Sequence, residues 1–295
     1  MNASATGPDL VIAGAARSGT SLLAARLSTH PEIDAPSVKE PNYFSRHLDK
    51  GLDWYDGFFP DRRPGALRLD ASVSYTYPQH PEALPALAAV SPGAQLVYLA
   101  RDPVERAVSH YLFYRHYFER EPAATFGAAL DAGDYYLGVS DYRHWLEAMT
   151  SCFPADRVLV VPFPTLTRDD AEVAAVVCRQ VGLTPPPAED REVSVHRNDT
   201  RTFRNDRVRR MTRALRHSSA YPKVRQALGP YLMRRVRAVA TTKPSMPSVD
   251  EALASCSAEQ LARLEELRLS AGEAVRDRVK AQDDALGLSW LLDWE

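Results

Sequence analysis

Cysteine is scarce in this chain of 295 residues: only Cys152, Cys178 and Cys256 occur, and none forms a C-x-x-C pair. An odd number at wide spacing speaks against a disulfide framework or a structural zinc site and points to a reducing compartment. Lysine is also rare, at positions 39, 50, 223, 243 and 280 only. The basic residues are therefore mostly arginine, and part of any arginine cluster reflects that bias. No stretch approaches the ~20 apolar residues of a membrane-spanning helix. Residues 1–5 provide no basic region ahead of an apolar run, as a secretory signal would. The net charge of −2 creates no global field favouring nucleic acid or membrane. These absences imply a cytoplasmic protein without an anchor.

What is present reads as an ordinary globular composition, with 45% hydrophobic and 25% charged residues. Short apolar runs at 10–13, 33–35, 67–71, 95–100 and 158–161 alternate with helical patterns near 20–28, 104–119 and 142–152. Strands separated by helices imply parallel β-α-β units and a sheet covered on both faces. After residue 184 the character changes. Thr184-Pro185-Pro186-Pro187 forms a stiff turn, and residues 197–237 carry 13 Arg or Lys against two Asp. Residues 259–283 read as a charged amphipathic helix with Leu261, Leu264, Leu267 and Leu269 on or near one face. The apolar tail 288–294 is expected to dock on the body. The fold class is thus α/β, a P-loop-like parallel β-sheet flanked by helices, with a mainly helical C-terminal part. We expect one domain over 1–295, with an α/β core at 8–183 and a helical, Arg-rich region at 184–295.

The first chemical signal is Leu10-Val11-Ile12-Ala13-Gly14-Ala15-Ala16-Arg17-Ser18-Gly19-Thr20-Ser21. A buried strand, a Gly-x-x-x-x-Gly loop and a helix start turn backbone N–H groups toward one small space, which suits an anion. A nucleotide-hydrolysing P-loop places Lys after the second glycine. Here Thr20 and Ser21 follow Gly19, and the nearest cation, Arg17, lies inside the loop. The cradle is kept without the lysine that serves a γ-phosphate.

A second signal follows the fourth strand, in Arg101-Asp102-Pro103-Val104-Glu105-Arg106-Ala107-Val108-Ser109. Asp102 can cap a helix and Pro103 suits its first position. Arg101 then stands at a strand end, and Ser109 lies about two turns into the helix. A guanidinium with a hydroxyl suits a phosphate monoester. The third signal, Lys39-Glu40-Pro41-Asn42-Tyr43-Phe44, sets a carboxylate in a proline-fixed turn near the cradle, where it could take a proton from an attacking hydroxyl.

Together these residues resemble the sulfotransferases that use 3′-phosphoadenosine 5′-phosphosulfate (PAPS), particularly the bacterial, heparan-sulfate-type and tyrosylprotein branches. The resemblance covers residues 8–183 well and extends more weakly to the end. It implies that Arg17, Ser18, Gly19, Thr20 and Ser21 hold the 5′-phosphosulfate, that Arg101 and Ser109 hold the 3′-phosphate, and that Glu40 is the base. Arg197, beside His196, falls where members often fold a loop over the cofactor. Arginine in the loop is nearer to the tyrosylprotein branch. One departure is plain: the Glu-Lys-x-Pro-x-Tyr stretch of many carbohydrate-type members corresponds to Asp70-Ala71-Ser72-Val73-Ser74-Tyr75, with no lysine.

The implied reaction is in-line transfer of a sulfuryl group to a hydroxyl, with Glu40 taking the proton and Arg17 stabilising developing charge. The products would be a sulfated acceptor and adenosine 3′,5′-bisphosphate (PAP), and no metal is required. Sugars, glycolipids, phenols, natural-product hydroxyls and tyrosine are all compatible acceptors. Two other classes compete. A P-loop kinase or NTPase would need a lysine after Gly19 and a strand-end Asp for magnesium, and the sequence has no such lysine and no clear Asp there. A nucleic-acid-binding module would rest on the 197–237 run, which otherwise reads as a solvated face.

Overall fold

The computed structural model describes residues 6–60, 62–185 and 246–294, together with the backbone of a short antiparallel pair, Thr202–Phe203 and Thr241–Thr242. Arg197 and nearly all of the 197–237 run lie outside the described residues.

Five parallel strands form one sheet: β1 Leu10–Gly14, β2 Ile33–Asp34, β3 Leu67–Asp70, β4 Gln95–Ala100 and β5 Val158–Pro162. Their spatial order is β2-β3-β1-β4-β5. The central strands are apolar along their length, and Leu10, Val11, Ile12, Leu96, Val97 and Leu99 are wholly buried. Helices cover both faces, so the strands need no polar alternation. The chain leaves β1 for the outer β2 and β3, then crosses to β4 on the other side of β1. The loops after β1 and β4 therefore emerge side by side, at a topological switch point where α/β sheets bind ligands.

Register adds a local feature there. Val11 faces Leu96 and Ile12 faces Val97, but Gly14 faces Tyr98 after a slip. Such an irregularity re-aims the chain as it leaves the sheet.

Both sheet edges are covered by side chains. On β5, the N–H of Val160 donates to Gln282 Oε1 at 2.6 Å and its carbonyl accepts from Gln282 Nε2 at 2.9 Å. One turn earlier in the same helix, Arg278 donates to the Val158 and Ala155 carbonyls. The helix thus takes the place of a sixth strand and denies the edge to other chains. On β2, Arg63 donates to the Ile33 carbonyl at 2.6 Å and to Asp34 Oδ1 at 2.7 Å.

The helical part departs from the expected pattern at two places. The helix beginning at Pro103 is α-helical only to Phe113, and Tyr114–Phe118 form a π-turn. The wider turn lets Phe113 stack on Tyr117 at 4.9 Å and Tyr114 stack on Tyr135 at 6.0 Å. The C-terminal helix, Ala258–Leu286, buries Leu264, Ala271, Val275 and Val279, while Leu261 and Leu269 are exposed. The packed stripe follows the small and β-branched residues because the helix lies close against β5 and the helix Tyr142–Cys152. The tail does dock: Trp290 is buried, Trp294 Nε1 donates to the Gly272 carbonyl at 3.1 Å, and Thr165 donates to Asp293 at 2.6 Å.

Candidate active site

The loop between β1 and the helix Thr20–Leu27 is held from three sides. Ala15 N–H donates to the Leu99 carbonyl at 2.9 Å, pinning the loop's first residue to β4. Arg17 and Gly19 both have positive φ, 71° and 89°. At Gly19 a side chain is also excluded by space, since a Cβ would lie 2.6 Å from Leu166 Cδ2. Beyond Gly19 the helix starts with no side-chain cap. Its first N–H groups have no partners within the helix and carry its positive dipole end. Thr20 is buried and Ser21 half-buried at this start.

Arg101 stands at the end of β4. Its N–H donates to the Tyr142 hydroxyl at 3.3 Å, and that hydroxyl donates back to the Arg101 carbonyl at 2.8 Å. Asp102 then caps the helix Pro103–Phe113 by accepting from Val104 N–H at 3.0 Å and Glu105 N–H at 2.8 Å. Arg268 of the C-terminal helix donates to the same carboxylate at 2.8 Å. The Arg101 guanidinium lies 5.1 Å from the Phe163 ring centre and pairs with Glu105 at 2.8 Å.

These elements bring Arg17, Ser109 and Arg101 together. Arg17 Nε donates to Ser109 Oγ at 3.3 Å, and its guanidinium lies 4.1 Å over the Phe113 ring. Burial and then the charge of Arg101 push the Arg17 pKa down to about 10. No carboxylate among the described residues pairs with Arg17. Two guanidinium groups thus repel across a space at the carboxyl ends of β1 and β4, an arrangement that an anion would relieve.

Behind the loop lies a third arginine that the sequence reading quoted without a role. Arg106 is wholly buried and has no acidic partner among the described residues: it donates to Ser140 Oγ at 2.6 Å, to the Tyr136 carbonyl at 2.7 Å and to the Ala16 carbonyl at 3.4 Å, and lies 3.1 Å from His110 Nδ1. Its contact with Ala16 ties the helix after β4 to the loop after β1. His110, burdened by burial and by the charges of Arg106 and Arg17, has its pKa held well below 6.5. The hydroxyl of Ser18 is fully buried and makes no hydrogen bond of ordinary geometry among the described residues, although it stands near enough to the Tyr142 hydroxyl to moderate the rise that burial causes in that group's pKa.

Glu40 lies on a separate turn. Its φ is 64°, and its side chain pairs with Lys39 at 2.7 Å rather than with Arg17 or Arg101. Its charge nevertheless reaches the site's neighbours. Glu40 helps to raise the pKa of Tyr77, after burial and the nearby Tyr135 and Tyr114, and Tyr77 in turn acts on Arg17. Asp70, Ser72, Tyr75 and Tyr55 are buried beneath the turn. Tyr55 and Phe59 belong to the main core, which accounts for the aromatic run that precedes β3.

The geometry and the comparisons with known proteins agree. A family model described as a sulfotransferase domain matches residues 7–229, most of the chain. The chain belongs to the sulfotransferase domain family. It is 29% identical over 175 residues to human heparan sulfate glucosamine 3-O-sulfotransferase 3B1, a match covering 56% of this chain and 43% of that protein. It is 36% identical over 104 residues to mouse heparan sulfate glucosamine 3-O-sulfotransferase 6, covering 35% of this chain and 30% of that one. The chain therefore spans about half or less of the curated relatives it matches. Among solved structures, a sulfotransferase from Alicyclobacillus acidocaldarius aligns with a TM-score of 0.54 at 25% identity, covering 70% of this chain and 90% of that one. A mouse sulfotransferase solved with PAP aligns with a TM-score of 0.51 over 95% of this chain and 90% of that one, and at 14% identity this likeness speaks to the fold alone.

Proposed function

We propose that this sulfotransferase-family protein transfers a sulfuryl group from PAPS to a hydroxyl acceptor, and that the site lies between the loops after β1 and β4. The observation that carries this reading is the pair Arg17 and Arg101: two partly buried cations crowd one space, and Arg17 has no carboxylate partner among the described residues. The buried Ser18 hydroxyl at the same loop, without a hydrogen bond of ordinary geometry among the described residues, fits an anionic ligand with oxygen atoms to share. Arg17, the loop N–H groups and Ser18 to Ser21 would hold the 5′ end of the nucleotide, and Arg101 with Ser109 the 3′-phosphate.

Bound there, the nucleotide supplies an activated sulfuryl group. Arg17 and the loop N–H groups are suited to stabilise negative charge that grows on non-bridging and bridging oxygens. Glu40 accepts the acceptor's proton. Positioning and fixed dipoles supply most of the acceleration, as in phosphoryl transfer. A reducing, cytoplasmic compartment is part of this reading, as three widely spaced cysteines suit. Among the described residues no helix is long and apolar enough to cross a membrane. The acceptor is a hydroxyl compound, and residues 1–295 act as one sulfotransferase domain in this reading.

Calorimetric titration with PAP in EDTA, alongside ATP with and without magnesium, tests the assignment. We expect magnesium-independent binding of PAP and none of ATP. Binding of magnesium-ATP without PAP binding would instead mean a kinase or NTPase. Binding of neither would remove the nucleotide site.

A further inference from the structure

We propose that Ser72 and Asn42 are positioning residues for Glu40, and that they fix the Glu40 turn through a hydrogen-bond chain anchored on buried Asp70. The inference rests on the reading of Glu40 as the base. The sequence provides no lysine in the stretch that begins at Asp70, and the structure fills that region with a different device.

The chain runs in one direction. Asp70, wholly buried at the end of β3, accepts from three hydroxyls: Ser72 Oγ at 2.6 Å, Tyr75 OH at 2.7 Å and Tyr55 OH at 3.2 Å. A serine hydroxyl has one proton to give. That of Ser72 goes to Asp70, so the lone pairs of Ser72 face outward, and one accepts the Asn42 N–H at 3.0 Å. Asn42 then donates its side-chain amide to the Glu40 carbonyl at 2.7 Å. Its amide oxygen accepts from Ser74 Oγ at 2.5 Å, and Ser74 Oγ lies 2.7 Å from Ser45 Oγ. Every polar atom of the Asn42 side chain that could rotate the turn is thereby engaged.

The turn needs this support. Glu40 adopts a left-handed backbone angle, φ 64°, that side-chain-bearing residues avoid, and Asn42 follows at φ 53°, a region that asparagine enters more readily than most. Pro41 between them is buried and contributes no N–H of its own. Such a conformation persists only when its surroundings over-determine it. Here those surroundings are Ser72 on the backbone side and Asn42 on the carbonyl side. A carboxylate on an unsupported turn would sample many positions, and proton transfer depends on heavy-atom distances held within a few tenths of an ångström.

The test uses the full chain with PAPS, water serving as the acceptor probe, and PAP release as the rate. Ser72→Ala is expected to slow release about tenfold, with PAP affinity unchanged. Asn42→Gly, which removes the amide tie but tolerates positive φ, is expected to behave likewise and guards against misfolding. In the double variant Ser72→Ala/Glu40→Gln the rate should equal that of Glu40→Gln alone, because once the carboxylate is gone the position of its turn no longer affects the rate. A crystal structure of the Ser72→Ala protein with PAP should find the Glu40 turn moved and the nucleotide in place. Additive losses in the double variant, or an unmoved turn with wild-type rate, would overturn the positioning role while leaving the base intact. A wild-type rate in Glu40→Gln would instead remove the base itself, and the positioning role with it.

Discussion

Arg17 Nε donates to Ser109 Oγ at 3.3 Å, joining the loop after β1 to the helix after β4 across 92 residues of sequence. The bond is long for its type, and its acceptor is a neutral hydroxyl. The remaining guanidinium nitrogens have no hydrogen-bond partner among the described residues, while Phe113 supports the flat face at 4.1 Å. In Ser109→Ala, the loop arginine loses this tie and a phosphate loses a hydroxyl donor. We expect PAP affinity to fall about three- to tenfold, the equivalent of one ordinary hydrogen bond. Titration calorimetry checks it.

Arg101→Ala removes a charged partner rather than a neutral one. Its carbonyl and N–H remain held by Tyr142, so the strand end keeps its shape. PAP should bind about ten- to a hundredfold more weakly, as for a charge-assisted hydrogen bond. Thermal stability should change little, because among the described residues the Arg101 guanidinium otherwise makes a half-exposed pair with Glu105 and a contact with the Phe163 ring. An unchanged dissociation constant would place the 3′-phosphate elsewhere.

Arg106→Met leaves Ser140, the Tyr136 carbonyl and the Ala16 carbonyl short of donors in a fully buried space. Each unsatisfied group costs about 1–3 kcal/mol. A loss of about 3 kcal/mol or more in a urea titration is expected, with weaker PAP binding well below the melting temperature because the loop loses its rear support.

His110 makes stability depend on acidity. Its folded pKa is held well below 6.5, with burial the first cause and the Arg106 and Arg17 charges adding to it. Above pH 6.5 the ring is neutral in both states and contributes no slope. As pH falls below 6.5, the unfolded chain takes up a proton that the folded chain refuses. Stability is therefore lost, at no more than about 1.4 kcal/mol per pH unit, until the folded pKa is reached. His110→Gln should flatten this difference between pH 7.5 and 5.5 in urea titrations. Equal slopes in both proteins would show that the ring titrates alike in the folded and the unfolded chain.

Much of the architecture was legible because parallel strands covered on both faces leave unbroken apolar runs, as in residues 10–13, 95–100 and 158–161. The Asp102 cap and Pro103 start were legible as well, since capping is local chemistry. The leucine face of the C-terminal helix was half legible, since Leu264 is buried and Leu267 packs against the core. Periodicity ranks side chains by apolarity, whereas close packing against the edge strand selected Ala271, Val275 and Val279 and left Leu261 and Leu269 exposed. Gln282 carries no sequence signal at all, because its role depends on which backbone groups of β5 lack a neighbour.

The candidate site divides in the same way. Arg17, Ser109, Arg101 and Glu40 could be picked out from residue type and spacing along the chain, since strand-end and helix-start positions are set by neighbouring residues. The roles of Arg106, Ser72 and Asn42 could not. Arg106 lay in an arginine-rich chain where one more arginine says little, and its meaning comes from burial without a counter-charge. Ser72 and Asn42 stand 30 residues apart and acquire a joint role only when β3 pairs alongside β2 and the segments that follow the two strands meet. The amino-acid order by itself determined which groups are charged, which segments are apolar and where helices begin. The tertiary structure alone decided which charges share one space and which hydroxyls point at one another, because distance and desolvation belong to the folded chain.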